Sequence, residues 1–392
     1  PHRVAGHSTR IDGDTALRRN LALLELILAE KAMSEPESEN GAVHEAQWRE
    51  VRYEYTPRLA DILAHLRATI VVTTYQAGKL LVLGVHDGKL QISFLSFEQP
   101  MGVAVGSDRI AIGTRRQIHF LRAAHETAPH VEPHGMYDGC FVPRTSFYTG
   151  AIHGHDLAFG RDGLWVVNTL FSCLCTLHEA YSFVPRWRPR FVSQLIDEDR
   201  CHLNGLAMQD GRPKFVTVMA EADEAGGWRP NKATTGCVLD VDTNEVVVRG
   251  LCMPHSPRLR GDDLWVLNSG YGSIGKVDRA AGRYESVETM PGYTRGLAFA
   301  GQFAFVGISK IRETSVFGGV PIAEDRANLR CGIGVVDLVS GQTVAVFQFL
   351  SGVEEIFAVD VIPGMLCPLI AGASVDKQER DVWIVPQPGS GE

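Results

Sequence analysis

Fourteen histidines lie among the 392 residues, and four of them fall at related places in a repeated pattern. Six segments align: Gln99-Pro-Met-Gly-Val-Ala-Val, His153-Gly-His-Asp-Leu-Ala-Phe, His202-Leu-Asn-Gly-Leu-Ala-Met, Met253-Pro-His-Ser-Pro-Arg-Leu, Tyr293-Thr-Arg-Gly-Leu-Ala-Phe and Val353-Glu-Glu-Ile-Phe-Ala-Val. Their third column reads Met101, His155, Asn204, His255, Arg295 and Glu355. Their first reads Gln99, His153, His202, Met253, Tyr293 and Val353. Neutral imidazole binds iron, copper or zinc well and calcium poorly. His155, His255, His202 and His153 are therefore candidate ligands of a transition metal (Fe, Cu or Zn). Arg295 suits a carboxylate or an oxyanion. Tyr293 suits a phenol acid or base, or a packing aromatic. Glu355 could ligate, hold a histidine tautomer or act as a base. Asn204, Met101 and Gln99 complete the lining around substrate. On strict strand alternation Asp156 points away from this ring and pins a loop. An inert polar ring and a metal-free ligand pocket stay open as alternatives.

Each segment is followed by a turn and a second apolar strand, such as Gly163-Leu-Trp-Val-Val-Asn and Asp263-Leu-Trp-Val-Leu-Asn. The unit returns every 40 to 60 residues, which is the period of a β-propeller blade. Forty glycines and 19 prolines supply the turns such a fold needs. The expected class is all-β: a six-bladed propeller over residues 69–386, with seven blades still open. Thr69-Ile-Val-Val-Thr-Thr-Tyr reads as the second strand of a blade, so the N-terminal side completes the last blade or begins a partial seventh. In a propeller the first strand of each blade lines the channel, and this places the two columns as layers at one mouth. Residues 1–68 read as a helical extension: an amphipathic helix over 14–33, an acidic linker, and a short helix over Arg58–Arg67 after Pro57. Residues 387–392 read as a disordered tail.

The charge balance is 38 Lys and Arg against 46 Asp and Glu, a net of −8, with no basic block. That makes a poor nucleic-acid or anionic-membrane binder, because phosphate contacts need clustered cations. No run approaches 18 apolar residues, so no membrane span is expected. Eight scattered cysteines without a CxxC pair read as buried free thiols in a reducing compartment, and cytoplasm is the expected location. Gly270-Tyr-Gly-Ser-Ile-Gly275 matches a dinucleotide fingerprint in letters, yet a strand follows it where a helix is required. No Gly-x-Ser-x-Gly elbow occurs. The acidic loop Glu221–Trp228 reads as flexible and overhanging one face.

Thr-Thr-Tyr-Gln-Ala-Gly-Lys, Pro-Met-Gly-Val-Ala-Val, His-Gly-His-Asp, His-Leu-Asn-Gly-Leu-Ala and Gly-Val-Glu-Glu-Ile-Phe together resemble a bacterial family of conserved hypothetical proteins, over roughly residues 57–386. That family implies no activity. More distantly the architecture is similar to the gluconolactonase and strictosidine-synthase type of six-bladed propeller, whose lactonase members hold a divalent cation with Glu, Asn and Asp. Asn204 and Glu355 match that pattern loosely; His155, His255 and Arg295 depart from it. In site type the histidines resemble those of propeller oxygenases and peptidyl lyases. The expected function is a metal-dependent enzyme, leaning to an Fe or Cu oxidoreductase acting on an anionic organic or peptidyl substrate. A zinc lyase or hydrolase at the same site is the alternative. A non-catalytic propeller that binds a protein partner, with the N-terminal helix as docking arm, is the third reading.

Overall fold

The computed structural model describes residues 4–11, 17–22, 49–311 and 318–371. The repeated strands form six sheets arranged as a six-bladed β-propeller, so the seven-bladed option falls away. Blades 1 to 5 begin with the inner strands Val103–Val105, Gly154–Gly160, Leu203–Gln209, Pro254–Arg260 and Tyr293–Ala300. Blade 6 is assembled from both sides of the chain. Its inner strand Ala358–Pro363 pairs antiparallel with Ala68–Thr73, followed outward by Lys79–His86 and Lys89–Ser96. The ring is thus closed by ladder hydrogen bonds, which leave no open seam at the place where the repeat ends.

Sheets two faces deep in protein must be apolar on both, and Ala68–Thr73 is buried at every residue. Packing of neighbouring blades produces six apolar cores, one per seam: Val167, Leu174, Leu203 and Val216 meet between blades 2 and 3, for example. The helix Pro57–Leu66 starts with proline in its first turn, buries Leu59, Ala60, Ile62 and Leu63, and ends at Arg67 in the left-handed conformation. It packs against blades 5 and 6. All eight cysteines are buried and free.

The N-terminal side differs from the sequence expectation. Leu17–Ala22, assigned above to a helix, is a strand paired with Val4–Ile11. Arg49–Tyr55 then joins the outer strand of blade 5, Gln342–Ser351. The leucine spacing that suggested a helix was outweighed by an unpaired sheet edge that offers a full row of hydrogen-bond partners. The rest of the 14–33 segment and the 387–392 tail lie outside the described residues.

The inner hairpins of blades 2 to 5 each carry a β-bulge: at Gly154/Leu157, Leu203/Gly205, His255/Arg258 and Thr294/Leu297. A bulge adds a residue on one strand and breaks the two-residue alternation. That is why Asp156 does not point away from the channel, as alternation required. It is 5% exposed, accepts Leu206 N of blade 3 at 3.0 Å, and forms a two-pronged ion pair with Arg258 of blade 4 at 2.8 and 3.1 Å. Blades 2 and 4 are not neighbours, so this pair runs through the channel. Arg258 also donates to Leu206 O and to Leu297 O of blade 5. On blade 6, Asp360 accepts Val105 N of blade 1.

Removing one partner of a buried ion pair strands the other charge, at a cost of about 3–5 kcal/mol. Asp156→Ala is therefore expected to lose that much unfolding free energy in denaturant titrations. Burial raises the Asp360 carboxyl to about 6. The folded state then favours the protonated acid, and this contribution is lost as pH rises from about 4 through 6. The stability difference between the parent and Asp360→Asn is expected to move in the variant's favour over that window; a flat difference would refute the assignment.

Candidate functional site

At the end of the channel where the inner strands begin, the bulges and the turns before them position a cluster of imidazoles. His153 and Met253 occupy equivalent places in blades 2 and 4, both in the left-handed conformation with φ of 54° and 49°. Gln99 and His202 share that conformation at 48° and 51°. Non-glycine residues pay about 1–3 kcal/mol for it, and such strain gathers at functional sites. Here it turns the backbone carbonyl toward the imidazole two residues on. His153 O lies 3.0 Å from His155 Nδ1, and Met253 O lies 3.0 Å from His255 Nδ1.

A carbonyl oxygen only accepts, so in both neutral rings the proton sits on Nδ1 and the lone pair on Nε2. Thr169 agrees with this. Its hydroxyl donates to Leu203 O at 2.5 Å, so at 2.8 Å it accepts from His155 Nδ1. Ser269 Oγ and Tyr293 Oη stand 3.1 and 3.2 Å from His255 Nδ1. His202 completes the group, its ring centroid 4.8 Å from that of His155. Its Nδ1 lies 3.0 Å from both oxygens of Asp199.

Burial, helped by the Arg295 charge, holds His155 and His255 well below the ordinary histidine value of 6.5. Both are neutral lone-pair donors at neutral pH. Burial also pushes the Tyr293 phenol far above its ordinary 10, so it stays a neutral hydroxyl at neutral pH. The Arg295 guanidinium lies 3.3 Å over the Phe357 ring, with Nη1 3.6 Å from Glu355 Oε1. Phe357 also touches His155, with ring centroids 5.2 Å apart.

The structure thus joins His155, His202, His255, Tyr293, Arg295 and Glu355 at one mouth. His153 is exposed and contributes its carbonyl. Asn204 is buried, accepts from Thr217 Oγ1, and leaves Nδ2 with no partner among the described residues. Met101 packs in the apolar core between blades 6 and 1, and no described contact joins Gln99 to the imidazoles. Among the described residues, no three His, Cys, Asp or Glu side chains converge closely enough to hold a metal ion. The alignment missed Asp199, Trp228 and Phe357. Asp199 and Trp228 lie in loops outside the repeat, whereas Phe357 stands two residues after Glu355 and was within reach.

The loop over the mouth is not loose. Trp228 is buried with Met219, Met253, Tyr293 and Leu329, and Asp223 accepts from Ser193 N and Arg200 Nη1. Packing and these bonds pin what its acidic composition suggested was free.

The sequence matches the family described as "Domain of unknown function (DUF4915)" over residues 57–371. The chain belongs to this family. The matched span runs from the helix beside blades 5 and 6 to the strand added to blade 1, so the DUF4915 unit is the propeller itself. No curated protein matches. Among solved structures, one described as "Crystal structure of Nidogen/Laminin Complex" is similar at 9% identity and a TM-score of 0.47, covering 76% of this chain and 99% of that one.

Unfolded, His155 and His255 would titrate near 6.5; folded, they stay neutral well below it. The unfolded state then binds more protons in acid, so stability falls as pH drops below about 6.5. His255→Gln is expected to flatten that acid-side slope in denaturation midpoints. Imidazole NMR resonances of His155 and His255 should keep their neutral-form shifts well below pH 6.5.

Proposed function

We propose that the mouth of this DUF4915 propeller is the active site of an enzyme acting on a small organic anion. Arg295 takes the anionic group, and the imidazoles of His155, His202 and His255 turn their Nε2 atoms to the substrate's hydroxyl or amide protons. The observation that carries this reading is the anchoring of all three rings at Nδ1, by His153 O, by Asp199 and by Met253 O. No described hydrogen bond engages any of the three Nε2 atoms. The partnerless Asn204 Nδ2 supplies a buried donor in the same ring of residues.

The same anchoring favours a second reading. Metal-bound histidines usually give their other nitrogen to a carbonyl or carboxylate. An iron, copper or zinc enzyme, oxidoreductase or hydrolase, is therefore kept as the alternative. It requires the rings to draw together, since they do not converge as they stand. A lactonase-like calcium site has less support. Asn204 Oδ1 is taken by Thr217, and Glu355 faces Arg295. No helix among the described residues is long and apolar enough to cross a membrane. The eight free thiols support a reducing, cytoplasmic setting.

The test has two arms on untagged protein. Carboxylates screened by thermal shift and calorimetry should bind the parent, and Arg295→Ala should bind the best of them about 10–100-fold more weakly, as for the loss of a charge-assisted hydrogen bond. No carboxylate binding, or binding indifferent to Arg295, would sink the first reading. Elemental analysis of the parent beside His155→Ala/His255→Ala decides the second: near-stoichiometric metal lost in the variant establishes it, and absence after reconstitution removes it.

A further inference from the structure

We infer that Asp199 is the positioning residue for His202 and makes its Nε2 the proton-accepting atom of the mouth; this deepens the anion-enzyme reading above and rests on it. Asp199 lies in the loop that follows blade 2, outside the repeat. Its carboxylate is nearly buried and faces three donors: His202 Nδ1 at 3.0 Å, Trp228 Nε1 at 3.0 Å and the more distant Arg229 Nη2 at 3.9 Å. The chain is bent to achieve this. Asp199 and His202 both adopt left-handed backbone, with φ of 47° and 51°, and Asp199 N is tied to Leu170 O of blade 2. Two strained non-glycine residues three apart are costly unless the contact they make is used.

The His202 ring is also held by packing. Trp228 covers it at 4.3 Å between centroids and 37°, and His155 meets it edge-on at 4.8 Å. Trp228 thus serves twice, fixing the carboxylate by its indole N–H and the imidazole by its face. A carboxylate accepts hydrogen bonds, so Nδ1 carries a proton, and in the neutral form of the ring the lone pair is left on Nε2. In the step this permits, a substrate X–H bond breaks heterolytically. The proton passes to His202 Nε2, and the electron pair stays on X. Asp199 then balances the charge of the imidazolium, and Arg295 faces the negative charge left on substrate. His155 and His255 lack a carboxylate on Nδ1, which singles out His202 among the three.

The test reads the ring itself in the 392-residue chain without ligand. Long-range ¹H–¹⁵N spectra should show His202 in the Nδ1–H form in the parent and in Trp228→Phe. Asp199→Asn, whose amide can turn a donor toward Nδ1, should shift it to the other tautomer. Diethyl pyrocarbonate, which attacks the neutral lone pair, should modify the His202 peptide about tenfold more slowly in Asp199→Asn, with partial recovery in Asp199→Glu. A parent ring in the Nε2–H form overturns the inference, and so does a folded Asp199→Asn variant with parental spectrum and rate. If Asp199→Asn fails to fold, the parent and Trp228→Phe spectra decide. Carboxylate binding is read separately. Its absence with an intact tautomer refutes the mouth as an anion site and leaves the Asp199–His202 pair standing; binding with the wrong tautomer does the reverse.

Discussion

The ion pair between Asp156 and Arg258 holds the centre of this molecule together. A propeller has no single core: six sheets pack as wedges, and the innermost strand of each exposes an unpaired edge to the channel. Those edges carry backbone N–H groups that cost free energy if they are buried without a partner. Side chains from neighbouring blades supply the partners. Asp156 serves Leu206 N, Ser256 serves Gly296 N, and Asp360 serves Val105 N. Arg258 lies among them, neutralising Asp156 and donating to the carbonyls of Leu206 and Leu297. Between them Asp156, Arg258 and Asp360 touch every blade.

That belt leaves the mouth to other tasks. Hydroxyls at the ends of the second strands tie adjacent blades near the rim: Thr73 to Met101 O, Thr169 to Leu203 O and Ser309 to Ile356 O. Thr169 shows how structure and site are coupled. The proton it spends on the seam obliges its oxygen to accept from His155, and this helps to fix the tautomer of that ring. Arg295 contributes twice as well. Its charge lowers the affinity of His155 and His255 for protons, and its stacking on Phe357 fixes its guanidinium at the mouth.

Much of the architecture was legible from residue types alone. The return of a Leu-Ala-Phe-like strand and its partner gave the blade, while Thr69–Tyr75 left open a blade completed across the chain ends or a partial seventh, and the ladder with Ala358–Pro363 decided for the first. Pro57 followed by Leu59, Ile62 and Leu63 announced the short helix. The helix expected over 14–33 failed at Leu17–Ala22, where pairing with another strand outweighs local spacing. Asp156 was misplaced by the bulge beside it, which a strict two-residue period cannot reveal. The acidic loop before Trp228 looked mobile because composition does not register one buried indole and two bonds to an aspartate.

What the sequence by itself determined is the repeat: six approximate copies of one strand pair, and therefore six places where a side chain starts an inner strand. Which of those side chains meet depended on how the blades close into a ring. The neutrality of His155 and His255 arises from burial and from Arg295, two properties that exist only once distant segments are packed. Asp199 lies outside every repeat unit, and its contact with His202 comes from a loop folding back over a neighbouring blade. Periodicity encodes local geometry, whereas desolvation and cross-blade hydrogen bonds depend on distances that the closed ring alone sets.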